Sequence, residues 1–282
     1  MFSGTLEPVN SKPAQISDYP WMVLVGSHPS SMMQCNGVIV APHYVIATTH
    51  CASRAERMGW RILSGSAIPT VKGLEHEFDK LITFNNTGKK AGPADFAIIR
   101  VKQSFIYGKT RQPIPILDEK FQIRDSQPAY LVGFGRLTSN EKPSKALRVL
   151  SVKTLDGRRC KKISNTTRAT CIYQDDPENK FAKNDYGALL VINGSLAGMV
   201  GQYYKKAGRA FNVYKKTSQY ADWIHKNIDS TIDDWIDYAE DRWNEFMAVI
   251  SLRAMNCLAA DRMWRWVAPP QLRRIGFEML IP

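Results

Sequence analysis

The sequence predicts an all-β fold, a barrel or a sandwich, and three observations carry that prediction. Apolar runs of strand length follow one another from Tyr19 onwards, each bounded by Pro, Gly or polar turn residues. Helical periodicity is almost absent before residue 218. The chain has 282 residues, of which 44% are hydrophobic and 10% aromatic, so it can bury a large core and is not of the disordered class.

The predicted elements follow a polar stretch, residues 1–15, in which Pro8 and Pro13 favour an extended leader. Residues 193 and 194, Asn-Gly, predict a hairpin turn between two of the strands. The predicted strands are the runs YPWMVLVG, CNGVIVAPHYVIAT, WRILSG, LITF, DFAIIRV, AYLVGFG, LRVLSVKTL, ATCIY, GALLVI, LAGMVG and FNVYK.

Two helices are predicted near the C-terminus. Ser218 can cap the segment QYADWIHKNI, in which Tyr220, Trp223 and Ile224 begin one apolar stripe. Residues 229–282 start with a Ser-Thr cap, and apolar residues then recur at helical spacing. This second segment is either an amphipathic helix docked on the β domain, translation of sequence outside the true gene, or a helix that binds a partner or a membrane surface. Its net charge of −3 argues against attraction to anionic lipid, and we favour the docked helix.

Seven short motifs occur in one order along the chain: YPW, CNG, TTHC, DFAII, LVGFG, NDYG and YADWI. Together they resemble the trypsin/chymotrypsin family of serine proteases over about residues 14–228. The resemblance implies two six-stranded antiparallel β-barrels closed by a C-terminal helix. The predicted domains are therefore a leader (1–15), a trypsin-like domain (16–228) and a C-terminal helical extension (229–282).

The same resemblance assigns the catalytic positions. His50 in TTHC and Asp95 in DFAII match the triad histidine and aspartate, but Tyr186 stands where the family has its nucleophilic serine. A phenol oxygen lies several ångströms farther from the backbone than a serine hydroxyl, and its ordinary pKa of about 10 keeps it protonated at pH 7. Tyr186 is therefore predicted to fill the cleft and not to act as a nucleophile.

Other parts of the site also depart from the family pattern. Asn184 replaces a glycine whose N–H forms half of the oxyanion hole, and Lys180 aligns with the floor of the specificity pocket. Asp185 keeps the acid that pairs with the new N-terminus of activated enzymes. Residues 8–11, however, read Pro-Val-Asn-Ser and do not offer an apolar N-terminus of the Ile-Val-Gly-Gly kind. We predict a zymogen-like or differently braced loop.

The chain has five cysteines. The resemblance implies the disulfides Cys35–Cys51 and Cys160–Cys171, and Cys257 is left over. Four free buried thiols in a cytosolic protein are the alternative. Paired cysteines favour a secreted, extracellular protein, although no signal peptide is visible at the N-terminus. Three sites match the short glycosylation pattern, at Asn85, Asn165 and Asn193.

The chain is strongly cationic. Its net charge is +12, and the acidic tail leaves +15 on residues 1–228. Lysine and arginine clusters occur at 158–162, 205–209 and 215–216. Such clusters usually only solvate a surface, but together they can form a face that binds an anionic glycan, a bacterial surface or an acidic protein.

These observations favour a secreted, non-catalytic serine protease homologue that acts by binding a protein or an anionic surface. Its role would be that of a protease-cascade cofactor, a decoy or an innate-defence protein. The alternative is an active trypsin-like serine endopeptidase with an atypical site, and a third hypothesis gives the function to residues 229–282. No cofactor or metal is expected, and nothing resembles a nucleic-acid-binding fold or a membrane span.

Overall fold

A computed structural model describes residues 11–26, 34–68, 73–84, 96–134, 146–173, 188–206, 209–228, 236 and 238–244. In these ranges the chain is mostly β, as predicted, with two closed barrels. The elements are β1 (Lys12–Pro13), β2 (Met22–Gly26), β3 (Gln34–Ala41), β4 (Tyr44–Thr48), α1 (Thr49–Met58), β5 (Arg61–Ser64), β6 (Leu74–Thr83), β7 (Phe96–Val101), β8 (Pro128–Phe134), β9 (Leu147–Thr154), α2 (Gly157–Ser164), β10 (Ala169–Tyr173), β11 (Leu189–Ile192), β12 (Ser195–Lys206), β13 (Arg209–Lys216), a 3-10 turn (Thr217–Tyr220) and α3 (Ala221–Ile228).

The first barrel closes through six antiparallel strands in the order β2-β3-β4-β7-β6-β5. Strand β2 shows why these sequences form buried strands. Its alternate residues Met22 and Leu24 contact the apolar cluster that joins the barrels, whereas Val23 and Val25 contact a second cluster beneath α1. A strand buried on both sides needs a continuous apolar run, and MVLVG supplies one.

The second barrel closes through β8-β9-β10-β13-β12-β11, with β11 pairing back to β8. The two-residue strand β1 adds to its edge, where Lys12 pairs with Val149 of β9. The predicted hairpin turn is present between β11 and β12. Asn193 and Gly194 both adopt positive φ angles, 50° and 75°, which is the turn chemistry that Asn-Gly favours.

One apolar cluster spans the junction of the two barrels. It contains Phe96 and Ile98 from β7 of the first barrel, and Val132 and Leu189 from β8 and β11 of the second. The buried side chain of Asn36 on β3 crosses the same junction. Its carboxamide oxygen accepts a hydrogen bond from the backbone N–H of Phe134 at 2.7 Å, and its Nδ2 donates to the Phe134 carbonyl at 3.4 Å. Asn36 therefore joins the barrels by hydrogen bonding to both the N–H and the carbonyl of one residue of the second barrel.

Helices α1 and α2 are corrections to the sequence prediction, which found almost no helical periodicity before residue 218. Thr48 caps α1 by accepting from the Cys51 N–H at 3.3 Å, and the helix ends at Gly59 in the left-handed conformation. Asp156 caps α2 in the same way, accepting from the Arg159 N–H at 2.9 Å. Both helices bury only a few side chains, so neither has the long apolar stripe that identifies a helix from sequence.

The C-terminal helix α3 closes the barrels as predicted. Ile224 is fully buried, and Tyr220, Trp223 and Ile228 pack on the junction cluster. Phe84 and Phe96 both contact the ring of Tyr220, at centroid distances of 4.8 and 4.4 Å. Ser218 is not the helix cap, because it lies inside the 3-10 turn that precedes α3. The prediction missed this turn because a single 3-10 turn has no periodic pattern.

Part of the predicted C-terminal extension is helical and contacts the first barrel. Tyr238 is buried against Tyr107 with ring centroids 5.3 Å apart, and Arg242 donates to the Tyr107 carbonyl at 2.6 Å. Ile236 and Trp243, two members of the predicted apolar stripe, are each 43% exposed. The buried contact is therefore made by Tyr238, which the periodic pattern did not include. Within the part of the chain that the structure describes, no helix has the length and apolarity to cross a bilayer.

Candidate active site

His50 lies in the first turn of α1, where neighbouring residues hold it in place. Thr48 caps the helix before it, and Cys51 after it forms a disulfide with Cys35 of β3. The Thr49 hydroxyl donates to the Phe96 carbonyl at 3.3 Å, which joins the start of α1 to the start of β7. The imidazole itself is half-buried. A histidine held at three adjacent positions has the fixed location that a catalytic base requires.

The start of β7 and the start of β11 meet at the same apolar junction. Phe96, which directly follows Asp95 in the chain, pairs with Thr48 in the β4–β7 ladder. Leu189 begins β11 three residues after Tyr186 in the chain, and it belongs to the same cluster as Phe96. The described ends of three predicted site segments therefore converge between the barrels. Asp95, Lys180, Asn184, Asp185 and Tyr186 themselves lie outside the described residues, so their assignments stay predictions.

Arg54 contacts Nε2 of His50, a contact that the sequence pattern did not predict. Its Nη1 atom lies 3.4 Å from Nε2 of His50, one helical turn earlier on α1. A guanidinium only donates hydrogen bonds, so a hydrogen bond here requires Nε2 to be the acceptor. In triad chemistry Nε2 is the atom that takes the proton of the nucleophile. Arg54 therefore competes for the lone pair that a general base needs. The i, i+4 spacing would have revealed the contact if α1 had been predicted as a helix.

A serine–histidine pair that is separate from His50 lies inside the first barrel. The Ser64 Oγ is 2.8 Å from Nε2 of His76, and Nδ1 of His76 is 3.2 Å from the Gln103 carbonyl. Ser64 and His76 are 2% and 3% exposed. No peptide substrate can reach a hydroxyl so deeply buried, and the histidine is oriented by a carbonyl and not by a carboxylate. This pair is therefore structural. Ser195 is also structural, because it pairs with Ile192 at the start of β12 and is part of the β11–β12 hairpin.

Both predicted disulfides are present in the structure. Cys35–Cys51 joins β3 to α1, and Cys160–Cys171 joins α2 to β10, with Cα–Cα distances of 6.0 and 5.2 Å. Two of the three glycosylation-pattern residues, Asn165 and Asn193, lie on exposed turns, and Asn85 lies outside the described residues. Among the residues that the structure describes, no group of His, Cys, Asp or Glu side chains is arranged to hold a metal ion.

The chain near its predicted activation point is tied to the second barrel. Ser11 is buried, and Nε of Arg148 donates to its hydroxyl at 2.6 Å. The following residues, Lys12 and Pro13, form the β1 pairing with β9. Residues 11–13 therefore extend along the barrel edge, whereas Pro8, Val9 and Asn10 lie outside the described residues.

Comparisons with known proteins agree with this architecture. The Trypsin family model matches residues 8–224. An alkaline trypsin, trypsin B of Manduca sexta, is 25% identical over 230 residues, covering 78% of this chain and 90% of that protein. The venom peptide isomerase heavy chain of Agelenopsis aperta is 22% identical over 245 residues, covering 78% and 99%.

Solved structures show the same fold. The crystal structure of the scabies mite inactivated protease paralogue S-D1 has a TM-score of 0.65 at 19% identity and covers 79% of this chain and 97% of its own. A mutant of human heparin binding protein has a TM-score of 0.64 at 14% identity, with coverage of 79% and 97%. With the family model matched over most of its length and two closed barrels in its structure, this chain belongs to the trypsin family of serine protease domains.

Proposed function

We propose that this protein is a secreted trypsin-family member that has no protease activity and acts by binding. The observation that carries the proposal is Tyr186 at the position of the nucleophilic serine. Without the nucleophile, an otherwise intact site retains only roughly 10³–10⁴-fold catalysis over water. Because Asn184 also replaces an oxyanion-hole glycine, we expect this protein to fall below even that level.

The contact between Arg54 and His50 supports the same proposal independently of the loop. An active enzyme needs Nε2 of the histidine free to receive a proton, and here a guanidinium lies 3.4 Å from it. Replacing Tyr186 by serine would therefore supply a hydroxyl without supplying a base that is free to activate it. Loss of function at the base and at the nucleophile is what we expect of a site kept for its shape.

The proposed partner is a protein or an anionic surface. The charge of +15 on residues 1–228 favours acidic partners. Two similar folds come from proteins described as an inactivated protease paralogue and as heparin binding protein. At 14–19% identity these likenesses support a fold that serves binding, and they do not select the partner. The two disulfides support secretion, because such bridges persist in oxidising compartments.

A serine-directed fluorophosphonate probe separates this proposal from the endopeptidase alternative. We expect the purified wild-type protein to remain unlabelled and to cleave no member of a broad peptide panel. The matched control is His50→Ala, which an inactive protein should tolerate without any change in labelling. Labelling or turnover of the wild type that His50→Ala abolishes would refute the proposal.

A repair series tests the role of Arg54. We expect Tyr186→Ser alone to give little or no labelling. Adding Arg54→Ala removes the guanidinium contact with Nε2 of His50. The double variant should therefore label about tenfold faster than the single one, as for the loss of one charge-assisted hydrogen bond. Equal labelling of the two variants would show that Arg54 does not restrain the base.

A further inference from the structure

A large cavity opens beside the second barrel, and His50 is not among its described lining residues. Its volume is about 1370 Å³, above the roughly 300–1,000 Å³ of ordinary small-molecule sites. Three parts of the chain form its walls: the segment 119–128 before β8, the first turn of α2, and the strand ends around Thr170 and Lys216. A cavity of this size accommodates an oligomeric ligand and not a single small ion.

Lys216 lines the cavity and brings a positive charge to its wall. Residue 216 ends β13, and its N–H donates to the Arg168 carbonyl at 3.1 Å, two residues before Thr170. Its side chain is half-buried, and burial lowers its pKa because the charged ammonium is partly desolvated. No described carboxylate forms an ion pair with it. An anion in the cavity would therefore compensate a charge that the protein leaves uncompensated.

Further cations surround the cavity mouth. Lys120, Arg124 and Lys161 line it on exposed positions, and none of them forms an ion pair with a described carboxylate. The acids in the wall are already engaged. Asp125 accepts from the Arg159 guanidinium at 2.6 Å, Asp156 caps α2, and Glu119 accepts from Gln219 at 3.2 Å. The described lining also holds more cations than acids, which favours an anionic ligand.

Apolar surface lies between the cations. Phe121 and Ile123 are half-buried and pack against the second-barrel core, and Leu155 adds to the same wall. A sugar ring presents an apolar face that packs on such surface, while its substituents reach the lysines. The site is also concave, so a flat lipid bilayer would not contact Thr170 or Lys216. A stiff ligand with several anionic groups fits these features better than a membrane does.

We propose that this cavity binds a sulfated oligosaccharide, with the half-buried Lys216 contacting one sulfate and the exposed Lys120 and Lys161 contacting others at its mouth. The inference rests on the proposed binding function and gives it a ligand class and a location. The proposed non-catalytic function and the proposed ligand site can be refuted separately. Probe labelling that depends on His50 would refute the non-catalytic role without affecting the cavity, and loss of site-specific binding would refute the cavity without restoring catalysis.

Titration calorimetry with a heparin octasaccharide at 150 mM salt tests the site in the full-length protein. We expect Lys216→Gln to weaken binding about tenfold, as for the loss of one charge-assisted hydrogen bond. The matched control is Lys80→Gln, which removes the same charge from an exposed position on the first barrel and should change the affinity less than twofold. An unsulfated octasaccharide of the same backbone should not bind. Equal losses in Lys216→Gln and Lys80→Gln would show that net charge alone attracts the ligand, and would overturn the proposal.

Lys161→Gln provides a second variant, because a change at this exposed residue of α2 should leave the Tm unchanged. We expect a severalfold weaker affinity for the octasaccharide. An unchanged affinity would remove Lys161 from the site and overturn the proposed contact. A glutamate-rich peptide that binds in a Lys216-dependent way while heparin does not would replace the proposed ligand class with an acidic protein.

Discussion

The two barrels have the same number of strands but treat their charges differently. On the first barrel three basic side chains are paired with acids: Arg61 and Lys102 both contact Glu77, and Arg100 contacts Asp79, at 2.6–3.0 Å. Around the cavity of the second barrel, Lys120, Arg124, Lys161 and Lys216 have no such partner among the described residues. A group of unpaired cations therefore lines the cavity of the second barrel.

The barrels also differ in what they bury. The first barrel buries two histidines, His43 and His76, and carries His50 on α1. The described part of the second barrel buries none, and its cavity is lined by cations. The buried histidines of the described chain therefore lie in the first barrel, whereas the second barrel carries the cationic cavity. Changes in the two barrels should consequently have different effects.

The largest expected effect is an acid sensitivity centred on the first barrel. Desolvation lowers the pKa of His76 from 6.5 to about 4. Arg111 and His43 lower this pKa further, whereas the Gln103 carbonyl and Asp241 raise it. Between these two pH values the unfolded chain binds a proton that the folded chain excludes. The free energy of unfolding should therefore fall by roughly 3 kcal/mol as the pH drops from 6.5 to 4.

Urea unfolding at pH 7, 5.5 and 4 measures this effect. His76→Gln should flatten the pH dependence, and His225→Gln, a change at an exposed residue of α3, should leave it as in the wild type. Hydrogen exchange should show β5 and β6 opening before β10 and β13 as the pH falls. Exchange that rises equally in both barrels would contradict the assignment to His76.

The two disulfides offer a second test. Removing either one should lower the free energy of unfolding by a similar amount, but only one removal should weaken ligand binding. Their sequence separations are 16 and 11 residues, so the chain-entropy model gives about 3 kcal/mol for each. Replacing Cys160 and Cys171 by alanine should also weaken heparin octasaccharide binding, because α2 and β10 line the cavity. Replacing Cys35 and Cys51 should leave that binding unchanged. Calorimetric titration at a temperature where both variants are folded makes the comparison, and the reverse pattern would break it.

The barrels could be predicted from sequence because the apolar residues of each strand show locally that the strand is buried. Runs such as FAIIRV and LLVI are too apolar for any exposed element and too short for a core helix. The disulfide pairs and the closing helix followed from family motifs. By contrast, α1 was missed because its buried residues include alanines and a disulfide cysteine, which form no strong stripe. With α1 missed, the contact of Arg54 with His50 was missed too.

The cavity was beyond sequence reasoning for a different reason. Its walls come from segments more than 90 residues apart, from Lys120 to Lys216, and only the closure of the barrel brings them together. The basic clusters predict an anion-binding face, but no local pattern shows which lysines line one cavity. That property depends on the positions of neighbouring strands. From sequence, the sign of the proposed ligand's charge could be predicted, whereas its location could not.

The smallest expected effect compares one glycine of each barrel. A Cβ atom at Gly198 of β12 would lie 2.8 Å from Cβ of Tyr214 and 3.0 Å from the Lys215 carbonyl, and both atoms are fixed by the β12–β13 ladder. A Cβ atom at Gly37 of β3 would lie 2.9 and 3.0 Å from the methyl groups of Val45 and Val23, which can rotate. We therefore expect Gly198→Ala to lower the free energy of unfolding by about 2–3 kcal/mol and Gly37→Ala by about 1 kcal/mol.

Urea unfolding of both variants, with Gly108→Ala as the control, measures this difference. A Cβ atom at Gly108 meets nothing within 4 Å, so its substitution should change stability by less than about 0.5 kcal/mol. Because the Gly198 clash lies beside the strand that ends at Lys216, Gly198→Ala should also weaken octasaccharide binding, whereas Gly37→Ala should not. A larger loss of stability at Gly37 than at Gly198 would mean that the first barrel is the more rigidly packed of the two, and the ligand site would then lie in the more adaptable half of the molecule.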